Sequence, residues 1–180
     1  PAVHAMPLTF SEGLAAFRDS MLWGYIDRSG DTVIAPRFAM VGVFSEGLAP
    51  VLVDSAWGFI DRTGAFAITP RYDFAGAFSE GLAPVRRGEK WGFIDSTGAF
   101  AIEPQYDLCY GFIDGLAAFK TDNKWGYVDP SGKIVIPAQF ALVGYFTGDL
   151  AMVMDTLRNR FYIDHSGKTV WKQEQEGARK

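Results

Sequence analysis

The chain has 180 residues and a mass of 19.8 kDa, room for one ordinary domain or one compact repeat array. Hydrophobic residues make up 48% and charged residues 21%, which excludes a disordered chain, and no apolar run approaches the ~18 residues of a helical membrane span. A formal charge of −4 with no basic stripe argues against a nucleic-acid partner. One cysteine, Cys109, and two histidines, His4 and His165, exclude an internal disulfide and a cysteine-based zinc site, and nothing calls for a metal or a cofactor.

Residues 1–9 read as a lead-in, and Pro1 is no initiator, so the start reads as processed or cut. From there a period governs the chain. Phe10, Phe44, Phe78, Phe112 and Phe146 stand at 34-residue intervals, and Trp23, Trp57, Trp91 and Trp125 keep the same spacing. Each tryptophan is followed by glycine (Gly24, Gly58, Gly92, Gly126), then by an aromatic, an aliphatic and an aspartate (Asp27, Asp61, Asp95, Asp129). The copies are 10–43, 44–77, 78–111, 112–145 and a degenerate 146–171, in which Arg160-Phe161 replaces the Trp-Gly pair. Copies two and three share 22 of 34 residues, so the repeat is a structural unit and not a chance motif. The fifth copy reads as a terminal cap, and 172–180 as a polar tail expected to fray.

Copy three shows what one unit builds. Gly81 to Arg86 is a short extended run after the turn Ser79-Glu80-Gly81. Lys90 to Asp95 is a second strand, with Trp91 and Phe93 on one face and Gly92 and Ile94 on the other. Asp95 to Gly98 closes a hairpin, and Phe100 to Glu103 returns as a third strand that Pro104 is expected to stop. Tyr106 to Gly111 is then a connector, and glycine after tryptophan is expected to let a neighbouring indole lie against the backbone. The fold class is therefore all-β: tandem repeats of about three short antiparallel strands in an open, capped, solenoid-like array. A closed five-bladed propeller-like ring is the alternative, although three strands is thin for a blade.

The recurring Glu-Gly-Leu-Ala-Pro-Val, the Lys-Trp-Gly-Phe-Ile-Asp with its following glycine, and the aliphatic run with proline together resemble the WG (KWG) repeats of bacterial proteins, over Phe10 to about Trp171. The resemblance implies a bacterial source and an interaction or accessory module, often in envelope-associated or multidomain proteins. It carries no catalytic residues. Ala56 and Leu22 stand where the family has lysine.

Each group that could carry chemistry also has a plain structural role. The aspartates Asp27, Asp61, Asp95, Asp129 and Asp164 could suggest acid–base or calcium chemistry, but an aspartate three residues before glycine is what a hairpin turn requires. The Ser-Glu-Gly groups read as strand-leading turns, and the tryptophans as core before sugar platform. Asp164-His165-Ser166 cannot be a triad, since neighbours in one turn do not converge. The positions that vary between copies are the charged loops with Arg86, Arg87, Lys90, Lys120 and Lys124, whose plain reading is a solvated edge, and the apolar connectors with Met40-Val41, Phe74, Leu108 to Tyr110, Leu142-Val143 and Tyr145, whose plain reading is packing between copies and whose alternative is a ligand surface. The expected function is a non-enzymatic scaffold that binds a protein or peptide through these loops and edges. A carbohydrate or cell-wall glycan module is the alternative.

Overall fold

A computed structural model describes residues 9–173, so the lead-in and the tail fall largely outside the described residues. The described chain is all β-strand, in five antiparallel sheets laid down in sequence order. The first sheet holds β1 (Leu14–Asp19), β2 (Leu22–Asp27) and β3 (Thr32–Phe38). The second holds β4 (Met40–Val41), β5 (Ala49–Val53), β6 (Ala56–Ile60) and β7 (Phe66–Tyr72). The third holds β8 (Phe74–Ala75), β9 (Ala83–Arg87), β10 (Lys90–Ile94) and β11 (Phe100–Tyr106). The fourth holds β12 (Leu108–Cys109), β13 (Ala117–Thr121), β14 (Lys124–Val128) and β15 (Ile134–Phe140). The fifth holds β16 (Leu142–Thr147), β17 (Leu150–Met154), β18 (Arg160–Ile163) and β19 (Thr169–Lys172).

Three details differ from the sequence reading, and two of them come from one irregularity. The connector is itself a strand, so four of the sheets have four strands and the strand-count objection to a blade falls away. Pro104 does not stop its strand: β11 runs on to Tyr106. Trp91 pairs with Tyr106 and Phe93 with Ile102, so a single residue, Gly92, faces the extra length of a bulge. Proline is tolerated in that bulge because no ladder bond is asked of it. The bulged backbone of the neighbouring strand, not an indole, is what lies on the glycine. A Cβ at Gly58 would stand 2.6 Å from the Ile68 carbonyl oxygen and 2.7 Å from the Pro70 nitrogen, and Gly126 is as crowded by Ile136.

Strand alternation gives every sheet two apolar faces, and consecutive sheets close on each other. Trp57, Phe59, Ile68 and Tyr72 of the second sheet pack on Ala75, Ala83, Val85 and Ile94 of the third. Equivalent layers join the first sheet to the second, the third to the fourth, and the fourth to the fifth. These are four layers for five sheets. The last sheet's outward face remains open: Tyr162 and Trp171 are 41% and 51% exposed where the fourth sheet buries Tyr127 and Ile136. The array is thus an open series.

The Ser-Glu-Gly turns add a second tie. Glu46 and Gly47 both take positive φ (55° and 80°) between the mutually bonded Ser45 and Leu48, the geometry of a tight two-residue hairpin. This aims the acid at the next copy. Glu12 accepts from the Gly47 amide (3.1 Å), Glu46 from Gly81 (3.0 Å), Glu80 from Gly115 (3.0 Å) and Asp114 from Gly148 (3.1 Å).

The Gly92→Ala variant should be destabilised by about 1–3 kcal/mol or more, because a methyl group there overpacks the bulge. The midpoint of urea unfolding measures this.

Candidate functional site

The strands that open the second to fifth sheets, β4, β8, β12 and β16, place the most informative side chains. Alternation turns Val41, Ala75, Cys109 and Val143 toward the preceding layer, and Met40, Phe74, Leu108 and Leu142 the other way, where Leu108 is half-buried against the layer between the fourth and fifth sheets. Met40, Phe74 and Leu142 are 52%, 42% and 43% exposed. The Phe74 ring lies between two indoles, with its centroid 5.3 Å from Trp57 and 5.3 Å from Trp91, at tilts of 43° and 54°. Further along, Tyr110 stacks on Trp125 (4.9 Å, 16°) and meets Tyr145 at 5.7 Å. Trp57 and Trp125 are buried and Trp23 and Trp91 half-buried, so the indoles serve as core and as the floor of an apolar row.

Two of the five cations singled out from the sequence belong to this row. Arg86 lies directly across the strands from both Phe74 and Trp91. Lys120 lies across from Leu108 and Trp125, with its Nζ 5.9 Å from the indole centroid. Arg18 holds the same place beside Trp23, at 6.0 Å. Among the described residues, no carboxylate is within ion-pair distance of Arg86 or Lys120.

The structure sets the other three apart. Arg87 points to the opposite face from Arg86 and sits over Phe100 at 4.5 Å. Lys90 pairs with Asp107 at 2.6 Å on an exposed surface, where such a bridge contributes little. That hydrogen bond holds the Lys90 ammonium above, and the Asp107 carboxyl below, its ordinary range. Lys124 stands at a hairpin end opposite Thr121. The acids at this end are engaged by backbone: Asp73 accepts from the Gly88 amide and Asp107 from Asp122.

The recurrent aspartates do turn chemistry. Asp95 Oδ1 accepts from the Thr97 hydroxyl (2.6 Å), the Thr97 amide (2.9 Å) and the Ala99 amide (3.1 Å). Asp61, Asp129 and Asp164 repeat the pattern, as does Asp27 with Ser29. Hydroxyl donation first, then backbone amides, hold all five carboxyls below their usual range. His165 stacks on Phe146 at 4.2 Å, and its Nε2 lies 3.1 Å from the Asp114 carbonyl, away from Ser166. Cys109 is buried, which pushes its thiol pKa far up. Among the described residues no group of three or more His, Cys, Asp or Glu converges as a metal site would require.

The family described as WG containing repeat matches residues 23–55, 57–91, 91–125 and 125–155, in register with the glycine bulges and indoles above. The chain belongs to that family. No curated protein matches the sequence. Among solved structures, the WG-repeat chain is similar to the computationally designed Ika8 protein (TM-score 0.61, 10% identity, 92% of this chain and 60% of that one). It is also similar to BamB from Moraxella catarrhalis (0.55, 12%, 91% and 61%) and to Hsv2 of Kluyveromyces lactis (0.59, 10%, 89% and 60%). The likeness is of fold alone, and the chain spans about three-fifths of their length.

The turn carboxyls predict an acid limit. Their folded pKa values lie below the unfolded ones, so the stability they contribute is complete above the ordinary carboxylate range and is lost as pH falls through the lowered values. The urea midpoint should hold from pH 7 to 5 and fall below about pH 4. Changing Asp61, Asp95 and Asp129 together to Asn should make that decline shallower.

Proposed function

We propose that this WG-repeat chain is a non-enzymatic scaffold that holds a protein or peptide partner along the apolar row. The observation that carries the reading is an exposed apolar side chain on the second, third and fifth sheets, at Met40, Phe74 and Leu142, with Arg86 and Lys120 on the third and fourth sheets without ion-pair partners among the described residues. Aromatic rings and arginine on a rigid sheet are what protein-binding surfaces favour, because they offer area at small cost in side-chain entropy. The turn aspartates are engaged by their own hairpins, and the glutamates by neighbouring copies, which removes the obvious acid–base candidates.

Panning a random-peptide display library over the immobilised chain tests this. Enriched peptides should bind the native chain and lose at least tenfold in affinity to a variant carrying Phe74→Ala, Arg86→Glu and Lys120→Glu. Peptides that ignore these changes, or no enrichment at all, would contradict the reading. Titration of soluble glycans and peptidoglycan fragments, followed by tryptophan emission, is the companion experiment. A response there without peptide binding replaces the scaffold by a glycan module.

A further inference from the structure

We infer that the open face of the fifth sheet is a self-association surface, on which a second copy of this chain docks by the same face about a two-fold axis. The inference stands apart from the peptide-binding reading and starts from the inner layers. In each layer an aromatic ring of one sheet meets the phenylalanine that leads the next copy. Tyr25 meets Phe44 at 4.8 Å, Phe59 meets Phe78 at 4.9 Å, Phe93 meets Phe112 at 4.8 Å and Tyr127 meets Phe146 at 5.0 Å between centroids. Tyr162 is the fifth ring of that series, since it pairs with Met152 and Trp171 as Tyr127 pairs with Ala118 and Ile136. Where the period next falls, the sequence has Lys180, and residues 174–180 include no apolar side chain larger than alanine. The tail therefore offers no ring to cover Tyr162.

The face around Tyr162 is apolar and continuous. Ala151, Val153 and Ile163 turn toward the fourth sheet, so alternation puts Leu150, Met152 and Tyr162 on the opposite side, with Trp171 beside Tyr162 at 5.8 Å. A repeat that ends an array in water needs a polar outer face. The fifth copy has the reverse. Met152 and Trp171 stand where the fourth sheet has the smaller Ala118 and Ile136, and both Tyr162 and Trp171 are exposed. The copy that reads from sequence as a cap thus carries a contact surface. One cation joins it: Arg160 takes the place of Trp125, and no carboxylate among the described residues is within ion-pair distance of it.

The other end of the array is not the complement of this face. Ala15 and Phe17, on the outer side of the first sheet, are already buried. The Phe10 ring, which an incoming Tyr162 would have to meet, is faced by the Arg28 guanidinium at 5.7 Å. Head-to-tail stacking therefore lacks an acceptor, and the surface left to match the fifth sheet is the fifth sheet of a second copy. Such a contact continues the apolar sheet-on-sheet packing that joins every pair of consecutive sheets. It is also self-complementary. The face holds rings and a cation together, so a two-fold axis lays the Arg160 of each copy on the aromatic pair of the other. Four strands ~4.8 Å apart and about five residues long give a face of roughly 300 Å² in projection, which makes the association weak and reversible.

Sedimentation velocity of the full chain, from micromolar to near-millimolar concentration, tests the inference. The mass should rise from 19.8 kDa toward twice that value and stop there. Tyr162→Glu, Trp171→Glu and Met152→Lys should each weaken the association at least tenfold. Phe10→Ala, at the other end, and Phe74→Ala, in the apolar row, should leave it within twofold. Circular dichroism of each variant verifies that the fold is kept, and the exposed Trp171 is the position where a charge disturbs it least. A monomer at every concentration overturns the inference. So does a dimer that tolerates the charged substitutions, or one that Phe74→Ala disrupts. Growth past the dimer, with sensitivity to Phe10→Ala, overturns it in favour of head-to-tail stacking. Peptide binding by the row is read separately by the display selection and stands or falls on its own.

Discussion

The contact between consecutive sheets is the interaction on which the rest depends. A sheet of four strands, most five to seven residues long and one of only two, carries apolar side chains on both faces and is too small to bury either by itself. Stacking in series solves this for each sheet at once. Phe59 and Ile94, which come from different copies, are both fully buried in one layer, and Phe93 and Val128 share the next. Stability is then close to a sum of neighbour terms, as in other repeat proteins, and each sheet depends on the ones beside it.

Two backbone devices keep that stacking in register. The bulge opposite the Trp-Gly glycine bends the outer strand of each of the first four sheets and lets its backbone come down where a Cβ would collide. The carboxylate that leaves each Ser-Glu-Gly turn bonds an amide of the next copy, so the turns are linked in a chain from Glu12 to Gly148. The fifth copy has glycine in place of that acid, and the chain of carboxylates ends there. Because these devices hold the backbone, the outward side chains of β4, β8, β12 and β16 are free to vary. The apolar row has its rigid floor for the same reason.

Much of this was legible in the sequence because a period of 34 leaves few ways to be wrong. The two-faced strand with Trp91 and Phe93 opposite Ile94, the aspartate turns and the open array with its family all follow from spacing and alternation. What was not legible is long-range. A two-residue strand such as Leu108–Cys109 has no periodicity to reveal it, and its pairing to Lys120 decides which loop cations join the row. Pro104 looked like a terminator because a bulge cannot be seen from one strand alone. The inter-copy role of Glu46 left a faint signal: an acid recurring 35 residues before a turn glycine.

Amide hydrogen exchange on an Ile94→Ala variant addresses the dependence of neighbouring sheets most directly. Ile94 belongs to the third sheet, but its side chain lies in the layer shared with the second. The amides of β5 and β6 should lose protection together with those of β9 and β10. Protection lost from the third sheet alone, with the second unchanged, would contradict the account.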